Sequence, residues 1–576
     1  MTRCPRFPVV AIAPVLAAAA TAVAVATACN RTSNPASRLA STAASSDADS
    51  TATARPPDRP TAPPLFSNLG SLHHAVSASA DAQPWFDQGL RLIYAFNHEE
   101  AIASFREGAR RDPDCAMCWW GVAVALGPNI NLPMDDKAIP DAMDAVHHAQ
   151  ALASHASPEE RDYIAAVAAR YSDAKGASRA MLDTAYAAAM GDLAHRYPDD
   201  PDAQTLWAES LMDLQPWNYY TVGGTPKGRI NDIIAALEGV LARNPNHPGA
   251  CHYYIHAVEA SPTPERGLPC AERLAELMPG AGHLVHMPAH IYMRLGRYAD
   301  AVRHNVHALA ADKALMDMRH DTGPYLLLYP THNEHFLWSA YTMEGREADA
   351  LASARKVGDA IPIDVYRGFP AAQFLLPTPY FALARFEKWD ELLAAPAPDT
   401  AAALRYTAGM WHYTRGLAFT AKGDTANARA ELDSVRAVEA ATAPDFIVGQ
   451  NSAKALLGIA HRHLAAELAV RADRRATAVK LLRDAAAMED SLTYDEPPAW
   501  YHPIRQVLGR VLLDFGDARG AELAFREDLR RNRENGWSLG GLAESLRKQG
   551  KTRAAAEVDA RFKRAWSGAD VKIAAR

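Results

Sequence analysis

Small and aromatic residues recur along this chain at an interval of about 34 residues, and that punctuation restricts the fold more than any other feature. With Ala82 as position 1, Trp85 falls at 4, Gly89 at 8, Ala101 at 20, Phe105 at 24, Gly108 at 27 and Pro113 at 32. Position 15, where the pattern calls for glycine, holds Phe96. One period on, Trp119 stands at 4 and Ala123 at 8. The same spacing returns near the C-terminus, with Gly509, Gly516, Ala521 and Phe525 at 8, 15, 20 and 24, then Ala543, Gly550 and Ala555 at 8, 15 and 20. Gly416, Gly423 and Ala428 mark a further unit. Between these marks the chain reads as helices broken by Pro- and Gly-containing turns, with no sustained strand alternation. Small residues at 8 and 20 let two helices approach, and large residues fill the space beside them. A unit of this kind cannot bury its apolar face alone and must stack on its neighbours.

The pattern resembles the tetratricopeptide repeat. It predicts an all-α fold, a TPR-like α-solenoid of stacked helix–turn–helix repeats over residues 67–570, with a concave face lined mainly by the first helix of each unit. A chain of 576 residues, 49% hydrophobic, suits an array that grows by addition. Its 60 basic and 67 acidic residues are well mixed and give a formal charge of -7. The lack of a basic stripe speaks against a nucleic-acid partner.

The first 28 residues read as a signal peptide: Arg3 and Arg6, an apolar Ala-rich stretch to Val25, then "VATAC". Cys29 stands where a bacterial lipobox places its lipidated cysteine, although Ala26 replaces the usual Leu; ordinary cleavage after Ala28 fits nearly as well. Either reading makes the chain exported, as a periplasmic protein or as a lipoprotein anchored to the membrane. Residues 29–66 are rich in Ser, Thr, Ala and Pro and nearly devoid of large apolar side chains, and so predict a disordered linker.

The repeat register gives meaning to an unusual run of histidines. Gly296 and Ala301 fix "GHLVHMPAHIYMRLGRYADAV" with Gly282 at position 1, so His283, His286 and His290 fall at 2, 5 and 9. In the preceding unit Pro248 is position 1, and His252, His256 and Glu259 fall at 5, 9 and 12. In the following unit Gly345 and Ala350 place His332 at 2 and His335 at 5. Positions 2, 5, 9 and 12 form one stripe of a helix, the stripe that lines the groove of tetratricopeptide proteins. A groove of this composition suits either a peptide or a metal. Repeated use of the same positions favours the metal, because imidazole suits zinc, copper, iron and nickel and several ligands from adjacent helices are what such ions need. His252, His256, Glu259, His286 and His290 are the candidate metal ligands. His283, His332, His335, His98 and His502 are candidates for the surrounding groove, where they would orient ligands or transfer protons.

No standard catalytic signature accompanies them. "HEEAI" lacks the second His of H-E-x-x-H, "HNEH" is one residue short of H-x-x-E-H, and neither a Walker loop nor G-x-S-x-G occurs. "CAMC" is a C-x-x-C pair, Cys115 and Cys118, at a helix start, open to a structural or a redox reading; Cys251 and Cys270 lie on the two helices of one unit and could staple it. These four are the candidate disulfide cysteines.

The segments "LQPWNYY", "NPNHPGACHYYIHAVEASPTPERGL", "PGAGHLVHMPAHIYMRLGRYADAV", "YPTHNEHFLWSAYTMEGR" and "DEPPAWYHPIRQVLG", with the stretch from Leu72 to Asn131, resemble a family of bacterial exported tetratricopeptide-repeat proteins. The resemblance implies the solenoid and no particular activity. It adds residues that plain scaffold repeats do not require, among them His74, Asp87, Trp119, Trp120, Asn129, Asn131, Trp217 and Asn218. The functional expectation is an extracytoplasmic repeat protein whose His-rich groove binds a divalent metal or small ligand. The alternatives are a metal-free envelope scaffold or assembly factor holding a protein or peptide in that groove, and a metal-dependent hydrolase or oxidoreductase.

Overall fold

The computed structural model describes residues 63–174, 176–319, 324–398 and 404–572. The signal peptide, Cys29 and most of the expected linker lie outside these residues. The last residues of that linker are held in place: the buried Gln88 amide donates to the Pro64 carbonyl at 3.0 Å, and its oxygen accepts from Phe66 N at 2.7 Å.

The described chain is an array of antiparallel helix pairs, each packed on the next, and a TPR-like solenoid is the fold. A two-residue ribbon, Ile447–Val448 paired with Asn451–Ser452, is the only sheet among the described residues. The spacing seen in the sequence has a direct packing cause. A Cβ on Gly89 would lie 2.6 Å from the Phe105 ring and one on Gly121 2.4 Å from the same ring. Gly509 and Gly541 bracket Phe525 in the same way, at 2.5 and 2.3 Å. In these two units the aromatic is thus seated between a glycine of its own unit and one of the next, so each phenyl ring couples neighbouring units.

Position 15 has an equally local cause. The turn between the two helices needs a left-handed residue, and Gly296, Gly345, Gly423, Gly516 and Gly550 supply it with φ of 74, 69, 84, 85 and 73°. Phe96 occupies the same turn with φ of 55°. A non-glycine residue there carries about 1–2 kcal/mol of strain.

The array does not keep an open concave face at its middle. The Gln83–Tyr94 helix packs on Pro248–Glu259, and Pro324–Glu344 packs on Gly536–Lys548. Trp537 Nε1 donates to the Thr342 carbonyl at 2.7 Å, and Tyr298 Oη to the Arg533 carbonyl at 2.8 Å. These contacts draw the C-terminal units back onto the central ones. The expected open groove is therefore corrected to a closed interior.

Candidate metal centre

Three consecutive units meet at this interior. The Pro248–Glu259 helix starts at Pro248, and His247 caps it by accepting from Ala250 N at 3.0 Å. In the next unit the expected single helix is two, Gly282–His286 and Pro288–Leu295, because Pro288 has no N–H to continue the ladder. The interruption is one residue long, and His286 and His290 still face each other. The third wall is the Pro324–Glu344 helix.

His252, His256, Glu259, His283, His286 and His290 are each no more than 1% exposed. Burying that many polar groups is costly unless each finds a partner, and most Nδ1 atoms do. His252 donates Nδ1–H to the Tyr94 carbonyl at 2.7 Å. His286 donates to Asn305 Oδ1 at 2.7 Å, and Asn305 is oriented by donating to the Ala301 carbonyl at 2.8 Å. His256 and His290 donate to the two oxygens of Glu259, at 2.8 and 2.5 Å.

With Nδ1–H committed, Nε2 of these four rings carries a lone pair, and the Nε2 atoms converge. His286 Nε2 lies 2.9 Å from His290 Nε2, and His252 Nε2 lies 3.0 Å from His283 Nε2. His256 Nε2 and His283 Nδ1 are buried with no hydrogen-bond partner. Two sets of three ligand atoms gather within 4.8 Å of one another, one from His252, His256 and His283, the other from His286, His290 and His332. Burial, reinforced by the neighbouring imidazoles, holds His252, His283, His286 and His332 far below the ordinary histidine value. Burial alone would raise Glu259. Its interactions with His290 and His256 override that and hold the carboxylate well below its usual range.

The distribution of roles differs from expectation in three ways. Glu259, expected as a ligand, braces one histidine of each set from behind. His283 and His332, expected around the site, present nitrogens within it. His335 is set aside: its ring stacks on Trp338 with centroids 5.1 Å apart, and burial lowers it to about 3. His98 stands behind Phe96, 6.3 Å between rings, and burial followed by the charge of Arg170 lowers it to about 4. His502 belongs to a separate aromatic layer with His463, 5.6 Å between rings.

Residues from distant segments cover the centre. The Phe96 ring packs edge-on to His252 at 4.6 Å and stacks on His283 at 5.6 Å. Trp217 meets His256 edge-on at 5.0 Å, again from a left-handed backbone with φ of 62°. Two strained non-glycine residues thus converge on one site, the kind of place where backbone strain tends to be kept. Tyr329 lies 4.4 Å from the His283 ring and accepts from Asn131 Nδ2 at 3.3 Å. Tyr494 Oη lies 3.2 Å from Glu259 Oε2 and 2.9 Å from Glu496 Oε1. Burial raises Glu496 to about 7.

Of the residues singled out by the family resemblance, Trp217 and Asn131 reach the centre. Asn129 is a turn residue, accepting from Asn131 N and Leu132 N. His74 and Asp87 anchor the N-terminal segment. His74 pairs with Asp202 at 2.8 Å; burial lowers its pKa, but the Asp202 hydrogen bond and charge outweigh this and bring it to about 9. Tyr94 joins this pair to the centre, donating Oη–H to Asp202 at 2.6 Å while its carbonyl receives His252. Sequence reasoning did not single out Tyr94, Asn305 or Tyr494, because their contacts join parts of the chain far apart and leave no local pattern.

Cys115 and Cys118 are joined as a disulfide, buried at the start of the Ala116–Ala125 helix. Cys251 and Cys270 are free buried thiols, which corrects the expected staple. Cys251 instead directs its Sγ toward the Pro245 carbonyl at 3.8 Å.

No protein-family model matches the chain, and no curated protein matches it in sequence. Solved structures of helical-repeat proteins align with it remotely. A human IFIT1 dimer with m7Gppp-AAAA is 13% identical with a TM-score of 0.33, covering 78% of this chain and 90% of that one. Yeast Tom70 is 11% identical at a TM-score of 0.27, covering 84% and 90%. Cut9 with Hcn1, from an APC/C hetero-tetramer, is 12% identical at 0.27, covering 81% and 76%. Likeness this distant transfers neither a ligand nor an activity to this chain.

Proposed function

We propose that this protein is an exported, metal-binding TPR-like solenoid whose buried histidines hold a transition metal. The single observation that carries the reading is the pair His286 and His290. Both Nδ1–H groups are committed, to Asn305 and to Glu259, yet their Nε2 atoms face each other at 2.9 Å. Two lone pairs so placed repel unless a proton or a cation is shared between them. A shared proton would settle this pair and leave His256 Nε2 still buried without a donor. Metal coordination through Nε2 in each set satisfies both, and the Nδ1 contacts are the kind that fix the tautomer and orientation of metal-binding histidines. The burial of the same side chains weighs against a peptide lying along them in an open groove. Export, with Cys29 as the anchor, is supported by residues 1–29 of the sequence.

The test is metal analysis of the purified full chain after exposure to zinc, copper, iron and nickel salts and removal of loose ions. Bound metal at or above one equivalent, reduced in His256→Ala and in His290→Ala, is expected. Wild type that takes up none of these ions, or variants that keep the full content, would refute the reading and leave a protein-binding scaffold in its place.

A further inference from the structure

The two sets of histidines are copies of one another in the repeat register. The first takes positions 5 and 9 of one unit, His252 and His256, and position 2 of the next, His283. The second takes positions 5 and 9 of that next unit, His286 and His290, and position 2 of the one after, His332. The same three positions, advanced by one unit, therefore build the same half-site twice. The series stops there, because position 9 of the third unit is Ser339. The two half-sites touch, with 5.5 Å between the rings of His256 and His290 and 5.9 Å between those of His283 and His286. One ion cannot take six imidazoles from two such sets, whereas one ion in each uses all six.

The donor set also constrains the charge of the ions. All six donors are neutral nitrogens. Glu259 is the one carboxylate bonded to the triad histidines among the described residues, and it is shared between the two half-sites. Arg294 adds a positive charge nearby, 5.2 Å from the Tyr494 ring. Two divalent ions would place four positive charges in a closed interior against Glu259 and, behind Tyr494, Glu496. Repulsion scales with the product of the charges, so two monovalent ions repel about fourfold less at the same separation. Among ions suited to imidazole, copper has a stable monovalent state.

Resting on the reading of a metal-binding centre, we infer that the protein holds a pair of monovalent copper ions, one at each repeat boundary, each bound by three histidines. The full chain is loaded anaerobically with copper under reducing conditions, freed of excess by a competing Cu(I) chelator, and assayed for copper per chain. Zinc is then offered in competition. One electron per copper is afterwards withdrawn with ferricyanide, and the paramagnetic signal is recorded.

Two coppers per chain that zinc does not displace are expected, with a signal broadened or diminished by the neighbouring spin. His283→Gln and His332→Gln, checked for native helicity by circular dichroism, should each leave one copper with the signal of an isolated ion. One copper in the wild type, or two zinc ions held in preference, overturns the inference while leaving metal binding intact. No tightly held ion at all overturns both. If either variant does not fold, the wild-type stoichiometry and the zinc competition decide the question.

Discussion

Glu259→Gln separates a brace for two ions from an ordinary buried ion-pair partner. The carboxylate accepts from His256 Nδ1 at 2.8 Å and from His290 Nδ1 at 2.5 Å. Glutamine offers one carbonyl oxygen and one amide that donates only. Whichever histidine meets the amide must turn its Nδ1 into an acceptor, which moves its proton to Nε2, the atom that faces the metal. That half-site loses a ligand; the other keeps a hydrogen bond but loses the negative charge behind it. Loss of such a supporting contact weakens metal binding about 10–100-fold, or about 1.4–2.7 kcal/mol. At a free metal concentration of about 1,000 times Kd, the ion stabilises the fold by about 4 kcal/mol. The variant should forfeit about a third to two thirds of that at the less damaged half-site and more at the other. The metal-free fold should change less, because removing a buried charge offsets part of the lost hydrogen bonding. Competitive chelator titration reads the affinities, and urea denaturation with and without metal reads the linkage. A variant that is destabilised without metal yet binds both ions as tightly as wild type would refute the role assigned to Glu259.

Three further outcomes follow from the geometry. Phe96→Gly should be more stable than Phe96→Ala by about 1 kcal/mol, the reverse of the helical preference, because φ at this residue is 55°; equal urea midpoints would show that the turn is not strained. The metal-free protein should lose stability as pH falls below about 6.5. The buried histidines have folded values below their unfolded one, so the unfolded chain takes up protons that the folded chain does not, and each such group contributes a slope of about 1.4 kcal/mol per pH unit. The window extends down to about 4 for His98 and about 3 for His335, and a flat profile of urea midpoints between pH 5 and 7 would contradict it. Alkylation of denatured, unreduced protein should label Cys251 and Cys270 and spare Cys115 and Cys118, with peptide mapping reading the sites; labelling of all four would count against the disulfide.

The repeat register was legible because its causes are local. Gly296 and Gly345 are demanded by the turn, and Gly89 and Gly509 by an aromatic neighbour sixteen positions on, so the chain declares them at a fixed interval. Once that register was known, the positions of His252, His256, His283, His286, His290 and His332 on one stripe were legible too. What surrounds them was not. Phe96, Trp217 and Tyr494 reach the centre from segments hundreds of residues apart along the chain, and no periodicity encodes such a meeting. Phe96 did leave a trace, as the wrong residue at a glycine position, and that departure marked the site more faithfully than agreement with the pattern did. The role of Glu259 was hidden for a different reason. On one helix a carboxylate three residues from a histidine suits a ligand as well as a brace, and only His290, from the next unit, decides between them.

The covering of the centre by Phe96, Trp217 and Tyr494 sets a timetable. A ligand set enclosed by segments so far apart in the chain is complete only when the array has closed on itself. An ion offered to the folded chain would therefore enter only as fast as those covers open locally. It would leave no faster than those covers open, however weak the bonds to the metal. Slow exchange of this kind would outlast weak individual bonds, because the covers and not the ligands would set the rate.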